Sequence, residues 1–286
     1  MPPFNALELF NKTPEMQFSV PSFDVSGGNI DILHAIYDEL EKKGCTAFIS
    51  STPQSIESYF GINSYFNVIN QVSKRYKVNF AIHLDHATDP EYVFRAIDMG
   101  FTSVMFDGSS LPINENIVIT KEIVSEAKRN NVSVEAELGI IGGKEDEINS
   151  EDSLIPSISD CIHFVQKTDI DLFAPAIGTS HGIYKMKPKI SWSLVNQLHT
   201  KLSLPLVLHG GSGLDKDILI KLIKNNFKKV NYATGIRQAF LNGILQRTKS
   251  EDSIIKPQEY LRTGRLRVSE FVNEILSVHI EEKTNH

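Results

Sequence analysis

The stretch 79-NFAIHLDHATDPEYVFRAIDMGFTSVMFDG-108 contains one complete repeat of the fold. Residues 79–84 form a short apolar run typical of a buried strand, and residues 90–99 have the apolar spacing of an amphipathic helix. Residues 102–106 form the next strand-like run. A strand, a helix and a second strand in this order predict a crossover between two parallel strands.

The same alternation continues through most of the chain. It gives eight strand-then-helix units, which are 17–23 and 29–42, 45–50 and 63–76, 79–84 and 90–99, 102–106 and 114–130, 132–138 and 157–167, 171–177 and 192–202, 205–209 and 215–225, and 228–233 and 236–246. Eight units predict a closed (β/α)8 TIM barrel, with a doubly wound open sheet as the alternative. Residues 1–14 and 257–278 predict extra N- and C-terminal helices outside the repeat. We expect residues 1–286 to form one barrel domain.

Composition excludes several classes of function. The chain has 41% hydrophobic and 22% charged residues and a net charge of −6, the balance of a globular protein without a basic face for nucleic acid. No apolar run reaches the length of a membrane span, and the N-terminus has no signal-peptide pattern. Cys45 and Cys161 lie in apolar or helical stretches, where reduced thiols are expected. We therefore expect a cytoplasmic protein.

Polar side chains lie at the ends of the predicted strands. They are His83, Asp85, His86, Asp107, Glu137, His181, His209 and Asn231. The carboxyl ends of barrel strands form the active-site mouth of this fold, so these side chains should meet there. We interpret His86, His181 and His209 as ligands of a catalytic zinc ion with an open fourth position. His83 has either a supporting or a purely structural role.

Two glycine- and hydroxyl-containing segments follow the last two predicted strands. Residues 209–213 read HGGSG and residues 231–234 read NYAT, and each opens a helix. Backbone N–H groups at helix N-termini bind phosphate, and in TIM barrels the loops after strands seven and eight commonly do so. The two segments together predict a phosphate cradle beside the metal.

The segments that carry these residues together resemble the class II aldolase family. They are AIHLDHATD, SVMFDGS, VSVEAELGIIGGKED, APAIGTSHGIYK, PLVLHGGSG and KVNYATGIRQAF, and they run in order along nearly the whole chain. The resemblance implies a zinc-dependent enzyme that cleaves a ketose 1,6-bisphosphate of the fructose or tagatose type. The products would be dihydroxyacetone phosphate and an aldehyde. It also implies a homodimer or homotetramer and a monovalent cation such as Na+ or K+ near the phosphate.

The resemblance also implies roles for individual residues. The three histidines match the zinc ligands, and Asp85 matches the acid/base that acts on the C4 hydroxyl. Glu145 matches the residue that exchanges a proton on the dihydroxyacetone phosphate side. Asp107 and Glu137 match carboxylates around an alternative metal position. The residues that match the dihydroxyacetone phosphate site are Gly182, Lys185, Gly210, Gly211, Ser212, Asn231 and Thr234.

Several positions depart from the family pattern. Asp24 stands where Asn is common, and Gln258 stands where Arg is usual. Ala87, Met186 and Gly235 also depart from the pattern, while Ala233 resembles the tagatose branch. An added negative charge at Asp24 and a lost cation at Gln258 both predict weaker binding of a second phosphate. Arg262, Arg265 or a lysine could replace the lost cation, so an ordinary bisphosphate aldolase remains the alternative.

Two other functions compete with the aldolase. A zinc hydrolase on the same barrel would carry a His-x-His pair at the end of strand one, but this chain has Phe23-Asp24-Val25 there. A non-catalytic zinc-binding relative would not need both the metal set and Asp85. Zinc content measured together with retro-aldol activity separates the three hypotheses.

Overall fold

The computed structural model describes residues 2–145, 148–150, 153–182, 184, 187–249 and 256–280, with only the backbone for residues 144, 145 and 148–150. The strands in these ranges are β1 (Val20–Asp24), β2 (Ala47–Ser51), β3 (Phe80–Ala87), β4 (Ser103–Phe106), β5 (Ser133–Leu138), β6 (Gly142–Glu145), β7 (Ile148–Ser150), β8 (Leu172–Pro175), β9 (Ser180–His181), β10 (Leu206–Leu208) and β11 (Phe227–Tyr232). Eight of these described strands close into a parallel barrel in the order β1-β11-β10-β8-β5-β4-β3-β2. The predicted TIM barrel is confirmed.

Helices cover the outside of the barrel. Those in the described ranges are α1 (Ala6–Lys12), α2 (Ile30–Lys43), α3 (Pro53–Tyr59), α4 (Ile62–Ser73), α5 (Pro90–Met99), α6 (Ile113–Arg129), α7 (Ile158–Thr168), α8 (Trp192–Lys201), α9 (Lys216–Lys224), α10 (Thr234–Thr248) and α11 (Pro257–His279). Local sequence sets their ends. In α5 the Asp89 side chain accepts the Glu91 N–H, Pro90 occupies the first turn, and Gly100 ends the helix at φ 101°. None of the helices in these ranges has the length and apolarity that a bilayer-spanning segment needs.

Successive side chains of a barrel strand point alternately outward, toward the helices, and inward, toward the barrel interior. On β3, Phe80, Ile82 and Leu84 belong to the large core between strands and helices. Ala81 belongs to a smaller cluster in which α1 packs against inward-facing strand residues. His83 and Asp85 continue the inward face of β3 and are buried. The strand period of two therefore places polar groups in the barrel interior, above the smaller apolar cluster around Ala81, which we call the apolar plug.

The structure differs from the predicted elements in two places. Between β2 and β3 the prediction gave one helix over 63–76, whereas the chain forms both α3 and α4 because Thr52 and Pro53 start an additional helix. Between the predicted strand 132–138 and the predicted helix 157–167, where no element was predicted, the chain forms the antiparallel hairpin β6–β7, and β6 also pairs in parallel with β9. The extra helices predicted at both ends are present as α1 and α11.

The contact between α10 and α11 yields a stability prediction. A Cβ atom added at Gly243 would lie 2.4 Å from the Thr263 carbonyl oxygen and 2.7 Å from Gly264 Cα, both backbone atoms. Gly243→Leu should therefore force the helices apart and lower the free energy of unfolding by about 1–3 kcal/mol. The matched control is Asn242→Leu on the exposed neighbouring position. Urea denaturation followed by circular dichroism measures both, and equal midpoints would contradict this packing.

Candidate active site

The C-terminal end of β3 presents two consecutive side chains to the barrel interior. Alternation alone would turn His86 away from Asp85. However, the pairing of β3 with β4 shifts register between Leu84 and Ala87, and His86 has a left-handed backbone with φ 46°. This local distortion aims His86 into the same space as Asp85. A residue other than glycine with φ in this region is strained, and such strain is concentrated at functional sites.

Three histidines meet at the mouth of the barrel, and we call them the three-histidine cluster: His86, His181 and His209. Each offers a ring nitrogen, and these ligand atoms lie within 4.8 Å of one another. His86 Nε2 lies 2.9 Å from His209 Nδ1. All three residues are buried. They come from β3, β9 and the residue after β10, so only the closed barrel brings them together.

Carboxylates hold the outer nitrogens of two of these rings. His86 Nδ1 lies 3.0 Å from Asp107 Oδ2, and His209 Nε2 lies 3.1 Å from Glu135 Oε1. Carboxylates in this position fix the tautomer and orientation of metal-binding histidines. Glu137 Oε2 is buried without a hydrogen-bond partner, 3.9 Å from His86 Nδ1.

These donors fit a divalent metal ion. Facing imidazole nitrogens, with carboxylates behind them, are the ligand set that zinc and related transition metals prefer. The three-histidine cluster would hold the ion. His86 with Asp107 and Glu137 forms a second, overlapping group with compatible spacing. The partnerless buried oxygen of Glu137 is consistent with a cation in that position.

A layer of paired charges lies beneath the cluster. Lys229 Nζ is fully buried, 2.8 Å from Glu135 Oε2, 3.1 Å from His83 Nε2 and 4.0 Å from Asp85 Oδ1. Asn231 Nδ2 donates to both Asp85 oxygens at 3.0 Å. Burial would raise the pKa of Asp85, but His86 and Lys229 outweigh burial and hold this pKa well below its usual range. Asp85 is therefore a carboxylate at neutral pH.

Sequence reasoning missed Lys229 and Glu135. Both occupy inward positions two residues before a predicted site residue, Asn231 and Glu137 respectively. A charged residue in phase with the inward face of an apolar strand was the signal that could have found them. His83 belongs to the same layer, where its Nδ1 lies 2.8 Å from Ser103 Oγ.

The predicted phosphate site forms a narrow depression next to the cluster. We call it the glycine cradle, and it is lined by His181, Gly182, Gly210, Ser212, Asn231, Ala233 and Thr234. A Cβ atom at Gly210 would lie 2.3 Å from the Ser180 carbonyl oxygen, and one at Gly211, just behind the cradle, 2.6 Å from Val230 Cγ1. Thr234 begins α10, so the first N–H groups of that helix lie at the cradle.

Two predicted site residues cannot be placed by their side chains. Lys185 lies outside the described residues. Glu145 ends β6, but its side chain lies outside the described part of the structure. Their roles remain predictions.

The charges around His86 predict that metal uptake releases a proton. Burial lowers the pKa of His86, but Asp85, Asp107 and Glu137 outweigh it and raise this pKa well above its usual range. Burial and then His86 lower the pKa of His209 to about 4. Without metal, His86 is therefore protonated at pH 7 and His209 is neutral. Because a metal ligand must be the neutral imidazole, Zn2+ binding at pH 7 should release the proton of His86, and affinity should fall as pH decreases.

Calorimetry in two buffers with different ionisation enthalpies measures this proton. Asp107→Asn removes one of the carboxylates that raise the pKa of His86, so this variant should release fewer protons while keeping the three-histidine cluster. Metal binding without proton release in the unaltered protein would contradict the assignment of charge.

Comparison with known proteins identifies the family of this chain. The family model described as fructose-bisphosphate aldolase class-II matches residues 4–283. The YdjI aldolase from Escherichia coli K12 superposes with a TM-score of 0.82 at 23% identity, over 96% of this chain and 97% of that one. A candidate fructose-1,6-biphosphate aldolase from Coccidioides immitis gives 0.81 at 26% identity over 96% of each chain. The fructose-bisphosphate aldolase from Campylobacter jejuni gives 0.74 at 19% identity, over 96% of this chain and 92% of that one. The chain thus belongs to the class II fructose-bisphosphate aldolase family and is a carbon–carbon lyase.

Proposed function

We propose that this aldolase is zinc-dependent and cleaves a phosphorylated ketose reversibly to dihydroxyacetone phosphate and an aldehyde. A ketose 1,6-bisphosphate of the fructose or tagatose type is the first candidate, and another ketose 1-phosphate is the alternative. The observation that carries the proposal is the position of Asp85. Asn231 Nδ2 contacts both the Asp85 carboxylate and, at 3.3 Å, His209 Nδ1. Because Asn231 also lines the glycine cradle, it connects the proposed base, the proposed metal ligands and the cradle.

Asp85 is suited to take the proton of the C4 hydroxyl. It is ionised, buried and held by two hydrogen bonds from Asn231, so its free lone pairs have a defined direction. Removing that proton allows the C3–C4 bond to break and the aldehyde to leave. General-base help of this kind is worth roughly 10²–10⁴-fold in rate. A divalent ion bound by the three-histidine cluster would supply Lewis-acid polarisation of the substrate carbonyl.

The glycine cradle would hold the phosphate of the dihydroxyacetone phosphate half. Gly182, Gly210 and Ser212 line it with little side-chain bulk, and the N-terminus of α10 adds N–H donors. Glu145, at the end of β6, is proposed to exchange the proton on that half. A nearby Na+ or K+ ion, a homodimeric or homotetrameric assembly and a single-domain chain remain predictions.

The structure alters the argument about a second phosphate. Asp24 does not add an uncompensated charge, because Arg237 Nη2 lies 3.3 Å from Asp24 Oδ2. Arg265 contacts Asp38 on α2, and Arg262 lies 3.9 Å from Glu259. Gln258 is exposed near the start of α11. A weaker preference for bisphosphates now depends on Gln258 alone.

Asp85→Asn tests the proposed base. The amide keeps the shape of the carboxylate but cannot accept the proton, so kcat should fall by roughly 10²–10⁴-fold. Zinc content, measured by atomic absorption, should stay near that of the unaltered enzyme. The matched variant His209→Ala should instead lose zinc. Retention of more than about a tenth of kcat by Asp85→Asn would rule out this role for the residue.

A panel of three ketose phosphates tests the substrate. Release of dihydroxyacetone phosphate should give kcat/KM values for fructose 1,6-bisphosphate and tagatose 1,6-bisphosphate that exceed fructose 1-phosphate only modestly, because an amide at Gln258 replaces a phosphate-binding cation. Chelation should abolish release, and zinc should restore it. A bisphosphate preference of several orders of magnitude would show that another cation serves the distal phosphate, and Gln258→Arg would then leave the preference unchanged.

A further inference from the structure

One tyrosine joins the two sides of the glycine cradle. The Tyr184 hydroxyl accepts the N–H of Ser180 at 2.9 Å and donates to the carbonyl oxygen of Gly210 at 3.2 Å. Ser180 belongs to β9, which also carries His181, and Gly210 lies in the loop after β10. A single hydroxyl thus satisfies one group on each side, and both sides line the same depression.

The ring of Tyr184 fills the space over the same loop. A Cβ atom at Gly213 would lie 2.1 Å and 2.7 Å from two ring carbons of Tyr184, and its three nearest atoms all belong to that ring. A Cβ atom at Gly210 would lie 3.0 Å from the Tyr184 hydroxyl. The absence of side chains at Gly210 and Gly213 therefore allows the tyrosine to lie directly on the loop.

The β9 side of the contact extends to the hairpin. Ser180 and His181 pair in parallel with Gly142 and Gly143 of β6. At Gly143 the approach is so close that a Cβ atom would lie 2.3 Å from the His181 carbonyl oxygen. A displacement of β9 must therefore move both His181 and β6, because backbone pairs of this kind do not slide by fractions of a residue.

We propose that Tyr184 is a positioning residue that fastens β9 to the loop of the glycine cradle, so that phosphate in the cradle also fixes His181 and β6. This inference rests on the proposed phosphate-binding role of the cradle. The hydroxyl, rather than the bulk of the ring, is the coupling group, since it is hydrogen-bonded to both backbones. Burial raises the pKa of Tyr184 to about 12, so the hydroxyl is protonated at physiological pH, as in an ordinary tyrosine.

Hydrogen exchange of the zinc-loaded protein, with and without inorganic phosphate, tests the coupling without turnover. In the unaltered protein, phosphate should slow exchange in residues 206–214, 178–182 and 140–145. In Tyr184→Phe the slowing should persist in 206–214 and be lost in the other two segments. Zinc content should not change, and the phosphate Kd should rise by about 3- to 10-fold, the effect of one hydrogen bond. Tyr92→Phe is the matched control, because its hydroxyl bonds to Glu57 at 2.8 Å, a contact between the outer helices α3 and α5.

A second variant separates coupling from loss of structure. Gly213→Ala retains the hydroxyl but pushes against the ring, so it should also confine phosphate protection to 206–214. Adding Gly213→Ala to Tyr184→Ala should have little further effect, because the clashing ring is gone. Equal protection of 178–182 in Tyr184→Phe and the unaltered protein would overturn the proposal, as would protection limited to 206–214 or absent in the unaltered protein. A protein that shows the coupled protection but cleaves no ketose phosphate would retain the coupling and refute the proposed function.

Discussion

The buried contact between Lys229 and Glu135 is the interaction on which the rest of the site depends. From it a continuous series of polar contacts crosses the barrel: Lys229 to Glu135 at 2.8 Å, Glu135 to His209 at 3.1 Å, His209 to His86 at 2.9 Å and His86 to Asp107 at 3.0 Å. Each group is oriented by the one before it. Removing one member of a buried ion pair typically costs about 3–5 kcal/mol, because the remaining charge has no partner. Replacing Lys229 should therefore disturb the orientation of every group in this series, including Asp107 on the far side of the barrel.

A barrel can keep such charges in its interior because one end of the interior is apolar and closed to water, while the polar groups are confined to the other end. At one end α1 packs Ala6 and Leu9 against inward residues such as Phe48 and Val207, which excludes water from below. Phe48 also packs edge-on against His83, 5.8 Å between ring centroids, at the boundary between the apolar plug and the polar layer. The apolar end supplies stability, and the surrounding low dielectric strengthens the contacts at the other end.

Sequence predicted the parts of this structure that depend on local period and failed where distant segments meet. Short apolar runs separated by helical periods were enough for the barrel, and polar strand ends were enough to select most of the candidate site. The left-handed backbone at His86 depends on a register shift between β3 and β4, which no local pattern encodes. The pairing of β6 with β9 joins glycine-containing segments that lack an apolar alternation, so the hairpin was not predicted. Lys229 and Glu135 are in phase with the inward faces of their strands, but their sequence positions do not show that the two charges pair with each other across the barrel.

The same reasoning applies to the charge at Asp24. As a sequence feature it is an added negative charge, but Asp24 and Arg237 lie 213 positions apart and meet because β1 pairs with β11 where the barrel closes. Arg237 Nε and Nη2 approach both carboxylate oxygens, and the Ser26 N–H donates to one of them at 2.8 Å. Paired in this way, the two side chains present no net charge to a substrate, and the acid at position 24 has a structural explanation. The net charge near a residue at the end of the first barrel strand therefore depends on groups near the last strand, which are distant in sequence and adjacent in the closed barrel.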